Sequence, residues 1–237
     1  MKWLYLLIDI FTVIIPLLFS FHPKLNFCKN WKVFFLANII VSIIFIAWDI
    51  LFIKLGVWEF NQNYISGVFL FNLPVEEILF FICIPFACVF TYHCICLFIK
   101  FKWRSRIQNI FVLLVSSALF IAGVYYHSKV YTTTTFISLA CTLFFINFFV
   151  NKKSLGKLIL VYPVLLIPFF IVNGILTGSC LQQPVVLYNN SQNLGIRLLT
   201  IPAEDFFYGF ELILLNVILY EFFKTKLISE KKGVTTV

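Results

Sequence analysis

Apolar residues in this chain run in long blocks separated by short polar or basic interruptions. Seven blocks approach the ~20 residues that a helix needs to cross the hydrocarbon of a bilayer. They are residues 3–21, 31–53, 75–99, 107–126, 130–150, 158–176 and 202–223. Strands of a lipid-facing barrel would alternate apolar with polar residues along each segment, and these blocks do not. The pattern predicts an all-α membrane protein with seven transmembrane helices. The first block has the length of a secretory signal, but no small-residue cleavage site stands before Pro23, so it reads as a retained helix.

Composition closes off the alternatives in water. Hydrophobic residues make up 62% of the 237 and charged residues 12%, against ~45–50% and ~25% in soluble domains, and mean hydropathy is +1.00. A soluble enzyme, a nucleic-acid module, a disordered chain and a disulfide scaffold are excluded. The formal charge of +8 follows the blocks: successive interruptions carry 1, 3, 1, 4, 1, 3, 1 and 4 Lys or Arg, so fourteen of eighteen fall on one side. Positive charge accumulates on cytoplasmic loops. The N-terminus is therefore expected outside, the C-terminus in the cytoplasm, and the chain in the cell membrane as a multi-pass protein. Most of the seven cysteines lie inside the blocks, where Cys packs as a small apolar residue. His93, Cys94 and Cys96 form only a C-x-C with a neighbouring His, which reads as packing, and no metal is expected.

An offset of 128 residues aligns two parts of the chain. Asn61, Gly67, Pro74, Glu76 and Glu77 fall on Asn189, Gly195, Pro202, Glu204 and Asp205, and Phe80 and Phe81 fall close to Phe207 and Tyr208. Three spans reverse direction, so a tandem copy would arrive inverted unless one further span intervened. The fourth block, after the basic run 100–106, restores the orientation. The expected architecture is a parallel 3+1+3 tandem repeat, of the kind related by an axis along the membrane normal. The first repeat covers 1–99, a linker helix 100–129, the second repeat 130–226, and a cytoplasmic tail 227–237.

Both copies of the acidic motif then lie at the outer face. Pro74 and Pro202 suit a first helical position, and Glu76 and Glu204 near the third position can cap free amides. Capping accounts for one acid per helix but not for two adjacent like charges. Four carboxyl groups, Glu76, Glu77, Glu204 and Asp205, converging at an apolar boundary would titrate as a coupled set and supply an acid beside a base. Glu211, seven residues beyond Glu204, is expected on that helix face ~10 Å deeper, either protonated or paired with an Asn such as Asn216. Asp49, beside Trp48 at the outer end of the second span, is a further candidate, and Asp9 a weaker one. The long connections 54–73 and 177–201 carry Trp58, Asn61, Tyr188 and Asn189 and could cover the site.

Leu73-Pro74-Val75-Glu76-Glu77-Ile78-Leu79-Phe80-Phe81, preceded by Gly56-Val57-Trp58-Glu59-Phe60-Asn61, resembles the first half of the small membrane lycopene cyclases. Residues 172–178, 184–189 and 194–197, together with Ile201-Pro202-Ala203-Glu204-Asp205, resemble the second half. The type is the heterodimeric bacterial one, here in fused form. Leu187 stands where that family often has Trp. The resemblance implies lycopene or a related linear carotenoid as substrate, and a non-redox, proton-initiated closure of its ends to β-ionone rings. It implies Glu76, Glu77, Glu204 and Asp205 as catalytic groups and adds Asn173, Arg197 and Tyr208 to the supporting residues. Lipid bilayer and other carotenoid enzymes are the expected partners. No G-x-G-x-x-G occurs, so neither flavin nor nicotinamide is expected.

Three other readings compete. Relatives acting on fifty-carbon carotenoids form other rings. A proton-coupled transporter would also use intramembrane acids, though nearer the midplane. A retinal photoreceptor would need a Lys in the last span, and residues 203–223 contain none.

Overall fold

The computed structural model describes residues 1–100 and 103–233; Lys102 of the basic run and residues 234–237 of the expected tail lie outside the described residues. In chain order the helices are α1 (Leu4–Phe19), α2 (Trp31–Lys54), α3 (Val75–Phe98), α4 (Ser105–Tyr125), α5 (Val130–Phe145), α6 (Lys152–Leu176) and α7 (Ala203–Gly233). A π turn, Ile146–Val150, continues α5. Six short strands fill the two long connections: β1 (Trp58–Phe60), β2 (Phe69–Leu70), β3 (Leu73–Pro74), β4 (Val186–Tyr188), β5 (Arg197–Leu198) and β6 (Ile201–Pro202).

Among the described residues, six helical segments are long and apolar enough to cross a membrane, beginning with Phe27–Lys54 and ending with Ala203–Leu227. The expected first span is shorter than its block. α1 has 16 residues, which rise about 24 Å against the ~30 Å of a hydrocarbon core. At its end Ser20 donates its N–H and its hydroxyl to the Pro16 carbonyl, and the chain then turns, with Asn26 in a left-handed conformation (φ 49°).

Helix packing follows the small and polar residues. A Cβ on Gly123 of α4 would run into Ile137 of α5, and one on Gly156 of α6 into the Gln108 side chain. Small residues let membrane helices approach this closely. Gln108 uses that proximity to donate to Asn147 Oδ1 (3.0 Å) and to the Lys152 carbonyl (2.7 Å). On the opposite side of the bundle, Asn38 of α2 donates to the Phe81 carbonyl (2.9 Å) and to Asn216 Oδ1 (3.1 Å). Asn216 thus belongs to α2 rather than to Glu211.

The two long connections cross each other about a local twofold axis. β1 pairs antiparallel with β4, Trp58 facing Tyr188, Glu59 facing Leu187 and Phe60 facing Val186. Under the 128-residue offset this register maps onto itself, as an isologous contact does. Flanking bonds obey the same rule. Asn61 N–H donates to the Val185 carbonyl (2.8 Å) and Asn189 N–H to the Val57 carbonyl (2.9 Å). The side chains repeat it: Asn61 Nδ2 donates to the Pro184 carbonyl (3.2 Å) and Asn189 Nδ2 to the Gly56 carbonyl (3.0 Å). Asn61 Oδ1 accepts from Asn63 N–H, and Asn189 Oδ1 from Ser191 N–H, each at 3.0 Å. The two asparagines are clamps for the crossing. Asn61→Ala leaves amide and carbonyl partners unsatisfied, at about 1–3 kcal/mol. The expected result is a lower thermal midpoint for the detergent-purified chain, and an unchanged midpoint would remove the clamp role.

Candidate active site

Each acidic motif is set by a hairpin that runs into a helix. In the first copy Phe69 and Leu70 pair with Pro74 and Leu73 around a two-residue turn, Phe71–Asn72, with both φ values positive (52° and 67°). Two positive φ values are what a tight hairpin of this hand requires. The second copy has Arg197 and Leu198 paired with Pro202 and Ile201. The first helical amides return to the hairpin: Val75 N–H donates to the Val68 carbonyl (3.0 Å) and Ala203 N–H to the Ile196 carbonyl (2.9 Å). This holds Pro74 and Pro202 in the strands, one residue before the helices, instead of at the first helical position. The acids therefore occupy the second and third positions.

Successive helical residues are turned by about 100°, so adjacent acids separate. Glu76 and Glu204, both 0% exposed, turn back to the loops. Glu76 Oε1 accepts from Ser66 N–H (2.6 Å); Glu204 Oε1 accepts from Leu194 N–H (2.7 Å) and from Thr132 Oγ1 (2.5 Å). Their amide partners lie outside α3 and α7, so they staple loops rather than cap helices. Glu77 and Asp205 turn inward and line a cavity of about 740 Å³ together with Asp49.

Tyrosines hold these three groups. Tyr5 of α1 donates to Glu77 Oε2 (2.5 Å), and Tyr208 of α7 donates to Asp49 Oδ1 (2.7 Å). Tyr131 of α5 and Tyr188 of β4 donate to the two oxygens of Asp205, at 2.7 and 3.0 Å. The carboxyl groups of Asp49 and Glu77 also contact each other. Trp58 lies edge-on to Tyr131 (5.2 Å) and Tyr188 (5.7 Å), and Trp48 edge-on to Tyr208 (5.4 Å). The acids are thus enclosed by aromatic rings.

The other candidates fall into four places. Trp58, Asn173, Tyr188 and Tyr208 line the cavity; Trp48 backs Tyr208 from behind. Asn61 and Asn189 hold the loop crossing. Arg197 is exposed, donates to the Thr200 carbonyl (2.7 Å) and Asn190 Oδ1 (3.0 Å), and sits over the Tyr188 ring at 5.8 Å. Glu211 is buried away from the cavity and accepts from Ser138 (2.7 Å) and Thr142 (2.9 Å) of α5. The structure brings Glu77, Asp205 and Asp49 together and leaves Glu76, Glu204 and Glu211 outside. Tyr5 and Tyr131 escaped the sequence reading. They correspond at an offset of 126, and their backbones confirm the match: Tyr5 N–H donates to the Tyr64 carbonyl and Tyr131 N–H to the Gln192 carbonyl.

A separate cleft of about 610 Å³ on the loop surface is lined by Gln62, Asn63, Gln182 and Gln183 and contains no acid. No group of three metal-binding side chains occurs among the described residues. His93 is engaged structurally, with Nε2 at 3.0 Å from the Leu25 carbonyl and Nδ1 at 3.3 Å from the Tyr220 hydroxyl.

A sequence-family model described as lycopene cyclase matches residues 2–95 and 128–223. The two matched segments start 126 residues apart (2 against 128) and end 128 apart (95 against 223), the same two-residue slip that relates Tyr5 to Tyr131. No curated protein and no solved structure matches the chain.

Burial, and then the neighbouring Asp205 carboxyl, hold the Tyr188 hydroxyl well above its ordinary value. A raised value keeps the phenol protonated as pH rises, so Tyr188 remains a donor where exposed tyrosines begin to ionise. Tyr188→Phe should leave the phenolate absorbance titration unchanged up to about pH 10. Loss of one tyrosine's worth of signal in that range would contradict the buried, donating hydroxyl.

Proposed function

The chain belongs to the lycopene cyclase family, and we propose that it closes the linear ends of lycopene into β-ionone rings by acid–base chemistry between Asp49, Glu77 and Asp205. Family membership makes it a multi-pass membrane enzyme of carotenoid biosynthesis. The observation supporting the mechanism is the position of these three carboxyl groups at the head of an aromatic-walled cavity.

Two carboxyl groups in contact away from water repel when both are charged, so at rest Asp49 and Glu77 hold one proton between them, and when it leaves, the carbocation formed beside them balances the new charge. This pair is the acid. Both oxygens of Asp205 accept phenol hydrogen bonds, which leaves it a pure acceptor, and it is the base. The pair adds a proton to C2 of the terminal double bond, leaving a cation at C1. The C5–C6 double bond attacks C1, the ring closes, and the cation moves to C5. Asp205 then removes the C6 proton, and the electron pair of that C–H bond forms the ring double bond. Oxidation state is unchanged, and no flavin or nicotinamide enters the scheme. Trp58, Tyr131, Tyr188 and Tyr208 line the cavity, where aromatic faces stabilise a cation, and the closed loop crossing keeps water from trapping it.

The charge alternation supports a seven-helix 3+1+3 arrangement in the cell membrane, with α4 as the odd helix and the acids at the outer face. Both halves in one chain favour the fused form of the heterodimeric type, sufficient by itself for β-cyclisation. A fifty-carbon substrate remains the second reading for the same cavity; the transporter reading has no support from the family.

Expression in lycopene-accumulating cells, with pigments separated by chromatography, tests this. The unaltered chain should yield β-carotene; unchanged lycopene would overturn the reading, and another ring would overturn the β assignment. Glu77→Gln and Asp205→Asn should each cost about 10²-fold or more, the scale of a lost acid or base. Glu76→Gln and Glu204→Gln should act mainly by lowering the thermal midpoint.

A further inference from the structure

The repeat is symmetric at its loops and asymmetric in its core. On the α2 side, Val41, Phe45, Phe81 and Leu212 form a buried cluster, none more than 1% exposed, and of these Leu212 alone borders the cavity. The 128-residue offset holds between α3 and α7, where Phe81 and Leu212 have Gly209 and Ile84 as counterparts, and both of these line the cavity. Where one repeat packs Phe81, the other places Gly209, so a phenyl ring is missing from an otherwise equivalent position. α6 also carries Pro163 and Pro168 inside it, whereas α2 carries no proline. Proline bends a helix and removes a backbone bond, and α6 packs less extensively on α3 than its counterpart α2 packs on α7. The cavity is a pseudosymmetric core that has been emptied.

Its shape suits a chain and not a globule. Along α3 its lining runs from Glu77 to Thr91, fourteen residues or about 21 Å, starting at the acids and descending between the helices. One side is open. Leu7, Phe11 and Ile15, four residues apart on one stripe of α1, and Ile171 of α6 line the cavity and are also 42%, 69%, 61% and 61% exposed. These residues face the lipid that surrounds the helices.

We propose that the groove floored by Gly209 and Asn173, open to lipid between α1 and α6, holds the polyene behind the end being cyclised, and that Gly209 is the residue that makes room for it. This rests on the cyclase reading and names where the substrate chain lies. Lycopene enters sideways from the bilayer, slides its end up to Glu77 and Asp205, and keeps the rest of its length along the groove. A side chain at position 209 would first meet the Phe169 ring, 3.2 Å from a built Cβ.

The test uses pigment retention and needs no turnover. The full-length Glu77→Gln chain, purified in detergent from lycopene-accumulating cells, should carry lycopene through gel filtration. Glu77→Gln combined with Gly209→Phe should carry about tenfold less, about 1.4 kcal/mol, with no loss of thermal midpoint. Gly209→Phe alone should lose conversion, and Gly209→Ala should retain it. Ile171→Trp, at the open side, gives a variant independent of core folding: in vesicles it should raise the half-saturating lycopene content and leave the saturated rate unchanged. Ile121→Trp, an equally exposed position on α4, should behave as the unaltered chain. Equal pigment retention with and without Gly209→Phe, or an Ile171→Trp chain indistinguishable from the unaltered one, would overturn the groove. If the unaltered chain fails to cyclise lycopene, the cyclase reading fails instead, and if Glu77→Gln still cyclises it, the assignment of Glu77 to the acid fails.

Discussion

Carboxyl groups taken out of water must be paired, hydrogen-bonded or neutral, and that constraint shapes the whole loop end of this protein. Asp9, Asp49, Glu76, Glu77, Glu204 and Asp205 are all buried there. Glu76 and Glu204 draw backbone amides from the loops, which fixes where the hairpins begin. Glu77, Asp49 and Asp205 draw tyrosine hydroxyls, which are donors that add apolar ring surface. A lysine or arginine would satisfy the same acids but would neutralise them as a proton source and sink. Phenols leave the acids reactive.

The duplication turns that local solution into a chamber. Because the two connections cross about their own twofold axis, Trp58 of the first repeat packs on Tyr188 and Tyr208 of the second, and Tyr208 in turn donates to Asp49 of the first. Tyr188 of the second connection faces Trp58 of the first, and both face the same cavity. The long loops that look like flexible lids in the sequence are a hydrogen-bonded lattice clamped by Asn61 and Asn189. Symmetry is kept where backbone must meet backbone and abandoned where space is needed, at Gly209.

Much of this was legible in one dimension. Block length and charge alternation marked the helices, with α1 overestimated because apolar composition does not reveal where a chain turns at Ser20. The spacing of Pro, Glu and Gly marked the repeat and its acids. Two things were not legible. Adjacent acids read as one cluster, although helical rotation sends Glu76 and Glu77 to different neighbours. Tyr5 and Tyr131 were hidden because a two-residue slip between the first helices and the hairpins breaks the 128-residue register, and a tyrosine in an apolar span looks like packing.

What the chain by itself determined is its solvent and its duplication, since both follow from composition and spacing that no fold can alter. What only the tertiary structure decided is which carboxyl groups share a space and where that space opens. Pairing of buried polar groups depends on helix rotation and on residues more than a hundred positions apart. A missing side chain such as that of Gly209 makes a cavity only when its neighbours do not close over it.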